Sequence, residues 1–332
     1  MMQLNNTISA SITAIGGYVP EERLTNKDLE SIVDTNDEWI QSRTGIKERR
    51  LLKDPKKATS FLAIQASKDL IIKNKVDPLT IDMVIVATTT PDMQIAATAA
   101  YVSSEIGTNN AFGYDLQAAC SGFLYAMSMA SGKIESGRYK KILVVGADKM
   151  SSVIDYKDRS TCILFGDGAG AVLFEPNNEG FGWIDEYFKS NGKDRESLCV
   201  KAGGSLFPAT SSSILKGDHY LRQDGRKVFK SAVSAMTEAS KNILNRNNLV
   251  GKDIDYLIAH QANERIIEAI ADRMKLEPKK VLKNISDYGN TTAATIPLLL
   301  YDFKNRFKKG DKIIFAAFGG GYTWGAAYYT WS

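Results

Sequence analysis

The sequence predicts an α/β fold that is built twice. Four segments are continuously apolar, which is typical of strands buried on both faces. These segments cover residues 81–87, 142–146, 254–260 and 313–317. Amphipathic patterns that predict helices, such as those over 62–74 and 231–244, lie between the strands. Alternation of buried strands with helices predicts sheets that carry helices on both faces.

A weak internal repeat indicates two halves of related design. The segment that begins at Ile81-Asp82 matches the segment that begins at Ile254-Asp255 at an offset of 173 residues. The strands that begin at Ile142 and Ile313 match at nearly the same offset, 171. Similar strands at a near-constant spacing predict that one unit of structure occurs twice in the chain.

No Pro- or Ser-rich linker separates the two halves, although the segment after residue 175 is rich in loop-forming residues. We therefore expect an N-terminal half over 1–175 and a C-terminal half over 176–332, with a loop-rich insertion at about 176–224. The halves are expected to share one interface.

Composition narrows the class of protein. The chain has 332 residues with 42 basic and 38 acidic side chains, and this near balance argues against a nucleic-acid-binding protein. No apolar run reaches a membrane-spanning length, and the N-terminus lacks the pattern of a secretory leader. Three widely spaced cysteines form neither a disulfide framework nor a metal motif. We expect a cytoplasmic protein without membrane insertion, metal or cofactor.

Cys120 is a candidate nucleophile. It lies where small residues give way to the amphipathic run 124–134, so it is expected to open a helix. A helix N-terminus stabilises a thiolate and lowers the pKa of the cysteine. The alternative at this point is a small buried hydrophobic residue, because free cysteines are often buried.

His260 and Asn290 are candidate partners of Cys120. An offset of 170 places Asn290 at the position of Cys120 in the second half, and His260 ends a buried strand. These groups suit one kind of chemistry. A thiolate attacks a carbonyl, and an imidazole N–H and an amide NH₂ then donate to the oxygen on which negative charge develops. A core histidine and a capping asparagine are the alternatives.

The glycines at 319–321 lie between two predicted strands. Because no helix follows them, they favour a close backbone approach that offers an N–H to an oxyanion over a dinucleotide site. A simple hairpin turn is the alternative. The glycines at 166–170 also precede a strand, and we interpret them as structural.

These motifs together resemble those of β-ketoacyl-acyl-carrier-protein synthase III. The resemblance rests on Cys120, on His260 within His-Gln-Ala-Asn and on Asn290 within Tyr-Gly-Asn-Thr, and it runs nearly from end to end. It implies a thiolase-like, five-layer αβαβα fold from two pseudo-twofold-related halves. It also implies a homodimer that joins an acyl-coenzyme A primer to malonyl-acyl-carrier-protein, releases coenzyme A and CO₂, and initiates type II fatty-acid synthesis.

The resemblance implies a role for each motif residue. Cys120 is acylated, and backbone N–H groups of Cys120 and Gly320 hold the oxyanion. His260 and Asn290 then donate to the malonyl thioester oxygen, while Phe318 presses on the malonyl carboxylate. A ping-pong rate law follows from the acyl-enzyme intermediate.

Coenzyme A binding is expected around Trp39 and Arg43, which lie four residues apart in a predicted helix and present an indole beside a guanidinium that can sandwich adenine. The alternative is a surface tryptophan shielded by arginine. The resemblance assigns coenzyme A contacts to Thr35, Trp39, Arg43, Arg159, Gly225, Phe229 and Asn263. It assigns docking of the acidic carrier protein to Lys230, Arg265 and Arg273.

Substrate choice is expected to depend on Ile95, where many family members carry a phenylalanine that helps close the acyl pocket across the dimer. The aliphatic side chain predicts tolerance of branched or longer primers. Elongating synthases need two histidines with their cysteine, and thiolases need a second cysteine, so neither class fits. A secondary-metabolite condensing enzyme or acyltransferase with the same triad is the remaining alternative.

Overall fold

The computed structural model describes residues 8–332, which form 13 strands and 11 α-helices. The strands are β1 (Ser9–Tyr18), β2 (Arg23–Thr25), β3 (Glu48–Arg50), β4 (Met83–Ala87), β5 (Phe112–Leu116), β6 (Ile142–Asp148), β7 (Gly168–Asn177), β8 (Gly182–Ser190), β9 (Leu198–Val200), β10 (Leu221–Gln223), β11 (Tyr256–Ala259), β12 (Lys312–Gly319) and β13 (Thr323–Thr330).

The helices are α1 (Asn26–Glu30), α2 (Asp37–Thr44), α3 (Thr59–Asn74), α4 (Thr98–Glu105), α5 (Gly122–Glu135), α6 (Arg159–Cys162), α7 (Ser211–Leu215), α8 (Gly225–Arg246), α9 (Glu264–Met274), α10 (Ile285–Tyr288) and α11 (Thr295–Phe303). Among the residues described, no helix has both the length and the apolar character needed to cross a membrane.

The first sheet has the strand order β1-β7-β6-β4-β5. Strand β4 pairs in parallel with both β5 and β6, whereas β7 runs antiparallel to β6 and β1. Strand β4 is buried at every position, as its continuous apolar sequence predicts. Alternate side chains face opposite layers, so that Ile85 packs on one side of the sheet and Val84 on the other.

The second sheet has the order β11-β12-β13-β8, with β11 and β12 parallel and the remaining pairs antiparallel. Strand β8 comes from the segment expected to be loop-rich. It pairs antiparallel with β13 over most of its length and forms one edge of the sheet. The segment expected to be a loop-rich insertion, about 176–224, therefore contains one long strand of the second sheet.

The two sheets and their helices stack in five layers, which confirms the expected αβαβα architecture. Helices α3 and α4 cover the outer face of the first sheet. Helices α5 and α11 lie between the sheets in the central core, where Phe123 and Leu299 are fully buried. Helices α8 and α9 cover the outer face of the second sheet.

The two central helices begin in the same way. A 3₁₀ turn over Ala119–Ser121 leads into α5, and one over Thr292–Ala294 leads into α11. The first residue of each turn has a positive φ, 48° at Ala119 and 52° at Thr292. The helix starts are 173 residues apart, so Cys120 corresponds to Ala293, and the expected equivalence of Cys120 with Asn290 is wrong by three residues.

Each of these turns packs against a glycine of the other sheet. A methyl group added at Gly319 of β12 would lie 2.7 Å from the backbone N of Cys120. A methyl group added at Gly146 of β6 would strike the backbone O of Ala293. Close backbone contact across the two sheets therefore requires glycine at both positions and fixes where Cys120 lies.

Candidate active site

A cavity of about 730 Å³ opens at the carboxyl ends of strands from both sheets. Residues that follow β4, β5, β11 and β12 all contribute to its wall. The sequence-predicted residues that line it are Cys120, Gly225, Phe229, His260, Asn263, Asn290, Phe318 and Gly320.

Cys120 lies in the 3₁₀ turn that precedes α5, and only 7% of its surface is exposed. The turn is closed by the N–H of Ser121, which donates to the carbonyl of Ala118 at 3.1 Å. The left-handed backbone of Ala119 is unusual for a residue other than glycine and is typical of functional turns. The thiol therefore lies at a rigid position in the cavity wall.

The thiol of Cys120 is protonated in the resting site. Burial raises its pKa to about 12, the charge of the Asp148 carboxylate acts in the same direction, and the Cys120 backbone N–H opposes them. The expected lowering of this pKa by the helix start is therefore wrong for the resting site.

His260 directly follows β11 and is 2% exposed. Its backbone N–H donates to Ala316 at 2.8 Å, which extends the parallel pairing with β12. Its ring Nδ1 lies 2.7 Å from the hydroxyl of Thr295. Burial lowers the pKa of the imidazole to about 3, so the ring is neutral at physiological pH.

Asn290 is held by its backbone and by its side-chain oxygen. Its N–H donates to Leu164 at 2.8 Å, and its Oδ1 accepts from the N–H of Thr292 at 2.8 Å. Since the oxygen of the amide is engaged, the Nδ2 group is the end that can donate to a ligand in the cavity.

Phe318 and Gly320 lie at the end of β12 and in the turn that leads to β13. The turn joins two antiparallel strands, so the glycines do form a hairpin, and Gly320 also lines the cavity. The ring of Phe318 packs against Tyr322 with their centroids 4.7 Å apart. Phe318 therefore brings a flat apolar ring, and Gly320 a backbone N–H, to the cavity that Cys120 also lines.

The residues predicted to bind coenzyme A fall into two groups. Thr35, Trp39, Arg43 and Arg159 do not line the cavity, unlike the other three. The two groups meet at Asn263, whose Nδ2 donates to the backbone carbonyl of Arg43 at 2.9 Å.

In the structure, the guanidinium that lies over the indole of Trp39 belongs to Arg159. The guanidinium of Arg159 lies over the indole of Trp39, 5.0 Å from the ring centroid, and donates to the carbonyl of Asp34 at 2.8 Å. Arg43 is exposed near the end of α2. Arg159, the first residue of α6, therefore lies over the indole, and a sandwich of adenine between Trp39 and Arg43 stays a prediction.

The three basic residues predicted to dock a carrier protein lie on the neighbouring helices α8 and α9. Lys230 is exposed, and Arg265 lies over the ring of Phe229 at 5.4 Å. Arg273 donates to the carbonyl of Val233 at 3.2 Å, which joins the two helices. All three therefore lie on one outer face of the second half, beside a residue that lines the cavity.

Ile95 does not line the cavity of this chain, and 99% of its surface is exposed. It lies in an irregular segment before α4, where the side chain of Gln94 donates to the carbonyl of Gly203. Within one chain, Ile95 therefore contacts no acyl pocket.

Several polar groups near the cavity were not predicted from the sequence. Thr292 and Thr295 follow Asn290, and Asp148 ends β6. Arg195 lines the cavity beside the predicted residues. A signal was present for Asp148, because polar residues at the carboxyl ends of parallel strands commonly serve a site.

The chain is similar to proteins of one family. The family model described as 3-Oxoacyl-[acyl-carrier-protein (ACP)] synthase III matches residues 114–192, and the model of its C-terminal part matches residues 244–331. Beta-ketoacyl-[acyl-carrier-protein] synthase III 2 of Bacteroides thetaiotaomicron is 52% identical over 98% of this chain and 97% of the relative.

Two further relatives extend the comparison. Beta-ketoacyl-[acyl-carrier-protein] synthase III of Chlorobium chlorochromatii is 52% identical over 98% of this chain and 100% of the relative. The crystal structure of 3-oxoacyl-[acyl-carrier-protein] synthase III from Aquifex aeolicus superposes with a TM-score of 0.89 and 39% identity, covering 97% of this chain and 100% of the other.

Proposed function

The chain belongs to the 3-oxoacyl-[acyl-carrier-protein] synthase III family, and on that premise we propose how its cavity carries out the family's reaction. The enzyme is an acyltransferase with the thiolase fold. It condenses an acyl-coenzyme A primer with malonyl-acyl-carrier-protein to give 3-oxoacyl-acyl-carrier-protein, coenzyme A and CO₂, the step that initiates type II fatty-acid synthesis.

Cys120 carries the acyl group in the proposed first half-reaction. The observation that supports this role is that one cavity is lined by Cys120 after β5, His260 after β11 and Asn290 after α10. The Cys120 sulfur attacks the thioester carbon, and the bond from that carbon to the coenzyme A sulfur breaks. Backbone N–H groups of Cys120 and Gly320 stabilise the oxyanion in between.

His260 and Asn290 act in the second half-reaction. Both donate to the thioester oxygen of the malonyl group as CO₂ departs, and the electron pair of the broken bond forms an enolate. The enolate carbon attacks the acyl carbon on Cys120, and the thiolate of Cys120 leaves. Phe318 provides the apolar surface that favours loss of the carboxylate as neutral CO₂.

The proposal assigns two binding surfaces, one for coenzyme A and one for the carrier protein. The pantetheine arm extends along Asn263, Gly225 and Phe229, which line the cavity. The nucleotide end lies toward Arg159 and Trp39, with the neighbouring Thr35 and Arg43 completing the coenzyme A site. Lys230, Arg265 and Arg273 attract the acidic carrier protein to the adjoining face of α8 and α9.

The proposal also covers assembly and location. We assign a homodimer, in which Ile95 reaches the acyl pocket of the second subunit, since it is exposed in a single chain. We also retain the division into halves over 1–175 and 176–332. The three cysteines are free, which favours a reducing compartment, and a cytoplasmic location is part of the proposal.

Intact-mass measurements of half-reactions test the catalytic roles. Acetyl- and isobutyryl-coenzyme A are expected to add their acyl groups to the wild-type chain, and malonyl-carrier protein is expected to remove them. Cys120→Ala is expected to form no adduct. Asn290→Ala is expected to acylate but to lose the adduct about 100- to 1000-fold more slowly, because one donor to the oxyanion is missing.

An adduct that persists in Cys120→Ala would contradict the nucleophile assignment. A long-chain adduct that malonyl-carrier protein does not remove from the wild type would favour a specialised acyltransferase. If the wild type and Asn290→Ala lose the acyl adduct at equal rates, Asn290 has no role in the second half-reaction.

A further inference from the structure

Thr292 and Thr295 connect the two proposed donors through hydrogen bonds. The N–H of Thr292 donates to Oδ1 of Asn290 at 2.8 Å. The hydroxyl of Thr295 lies 3.0 Å from the carbonyl oxygen of Thr292 and 2.7 Å from Nδ1 of His260. Both threonines are buried. One short turn therefore contacts Asn290 directly and His260 through a single hydroxyl.

The turn is held by the carboxylate of Asp148, which is fully buried. Its Oδ2 accepts from the hydroxyl of Thr292 and, at 3.1 Å, from the N–H of Ala293. Thr292 has a φ of 52°, which is a strained conformation for a β-branched residue. Strain of this kind persists when the surroundings impose it, and it clusters at functional sites. Asp148 anchors the turn in this conformation.

The hydrogen bonds of Thr295 select one tautomer of His260. A carbonyl oxygen only accepts, and a threonine hydroxyl has a single proton. Both contacts of Thr295 are satisfied together only when the hydroxyl donates to Thr292 and accepts from an Nδ1–H of His260. Within residues 8–332, Thr295 is the one hydrogen-bond partner of the His260 ring. The Nε2 atom then carries a lone pair.

We propose that Thr295 is a positioning residue that holds His260 as the Nδ1–H tautomer, so that Nε2 accepts the proton of the Cys120 thiol during acylation. This inference rests on the proposed function of the cavity. The proton passes from the sulfur to Nε2 as the bond from sulfur to the acyl carbon forms, which leaves His260 as an imidazolium, and the coenzyme A sulfur leaves as a thiolate with the electron pair of its broken bond. The resulting Nε2–H is the group that His260 later donates to the malonyl thioester oxygen.

The protonation states of the resting site agree with this order of events. Burial keeps the Cys120 thiol protonated and the His260 imidazole neutral. Burial disfavours a separate ion pair of thiolate and imidazolium, so the proton moves to the Nε2 lone pair only as the bond from sulfur to the acyl carbon forms. The proton returns to Cys120 when its thiolate leaves the condensed product, which restores the resting site.

Nitrogen NMR of the full-length protein labelled with ¹⁵N-histidine tests the proposal. The chain has two histidines, so a His219→Gln variant assigns the signals of His260. The wild type and Thr295→Ser are expected to show the Nδ1–H tautomer. Thr295→Val, which keeps the shape and removes the hydroxyl, is expected to lose it. Acylation of Cys120 by acetyl-coenzyme A, followed by intact mass, is expected to slow about 10- to 100-fold in Thr295→Val and to recover in Thr295→Ser.

An Nε2–H tautomer in the wild type would overturn the proposal, as would a Thr295→Val variant that keeps the wild-type tautomer and rate. Slow acylation in both variants with reduced thermal stability would assign Thr295 a packing role and also overturn it. Failure of the proposed function is a separate result, because it would appear as a wild-type protein that forms no adduct whatever its tautomer.

Discussion

His260 shows how burial sets the chemistry of a single residue. The buried ring has the hydroxyl of Thr295 as a hydrogen-bond partner, and desolvation is what shifts its pKa. Desolvation therefore disfavours the imidazolium and keeps the ring neutral. The same burial opposes the thiolate of Cys120. Both groups rest in their uncharged forms, which suits a site that exchanges one proton between them.

The lowered pKa of His260 makes stability depend on pH. The pKa is about 3 in the folded protein, below the ordinary value of 6.5, so the unfolded chain gains a proton first as pH falls. The stability is fully present above pH 6.5 and is lost toward pH 3. We expect His260 to account for about 2 kcal/mol of lost stability at pH 5.

Urea unfolding at pH 7 and pH 5 measures this loss. His260→Asn is expected to lose about 2 kcal/mol less than the wild type between the two pH values, whereas the matched variant His219→Gln is expected to behave like the wild type. Equal losses in the wild type and His260→Asn would show that His260 carries a proton in the folded protein.

At the scale of elements, two turns and two glycines determine the geometry of the site. The 3₁₀ turns before α5 and α11 contain Cys120 and Thr292, and each turn packs against a strand of the opposite sheet. A pseudo-twofold arrangement therefore places the proposed nucleophile beside the turn that contacts both proposed donors. The chemistry is asymmetric, because Ala293 occupies the position equivalent to Cys120.

Gly319→Ala tests this contact between elements. The new methyl group would lie 2.7 Å from Cys120 N and 2.8 Å from Ala118 O, which are backbone atoms that cannot rotate away. We expect a loss of about 1–3 kcal/mol in unfolding free energy, because the contact is overpacked. We also expect acylation of Cys120 to slow about 100-fold, because small displacements of a reacting group are costly.

Gly132→Ala is the matched control, since a methyl group there has no neighbour within 4 Å. It is expected to acylate at the wild-type rate. Unfolding in urea and intact mass during acylation measure both effects. If a folded Gly319→Ala protein acylates Cys120 at the wild-type rate, the turn tolerates displacement.

At the scale of the whole molecule, we expect the exposed Ile95 to connect primer choice to assembly. A side chain that is 99% exposed in one chain closes a pocket only when a second chain receives it. We expect the wild type to be a dimer in solution and to accept isobutyryl-coenzyme A as well as acetyl-coenzyme A.

Ile95→Phe is expected to lower the rate with isobutyryl-coenzyme A relative to acetyl-coenzyme A, because a ring fills the space that a branched acyl group needs. Extra or missing methylene groups in such pockets change rates by about 10- to 200-fold. Met93→Phe, a change at a neighbouring exposed residue, is the control. Light scattering gives the oligomeric state, and an unchanged primer ratio in a dimeric Ile95→Phe protein would exclude the pocket role.

The sequence by itself determined four buried strands, two long helices over 62–74 and 231–244, and the convergence of Cys120, His260 and Asn290 on one cavity. Apolar strands and amphipathic helices are local patterns, and the carboxyl ends of parallel strands meet at one edge whatever the loops do. The placement of His260 directly after a buried strand therefore follows from the sequence alone. The two buried segments 142–146 and 313–317 likewise lie within β6 and β12.

Only the tertiary structure decided which groups contact one another across elements. Arg159 rather than Arg43 lies over Trp39, and Asp148 anchors a turn that is 144 residues distant in the chain. The direction of the Cys120 pKa was also decided there, because it depends on burial and on the charge of Asp148, and no local pattern encodes either. Local periodicity specifies elements, whereas packing brings distant side chains to within hydrogen-bonding distance and thereby sets the chemistry of the site.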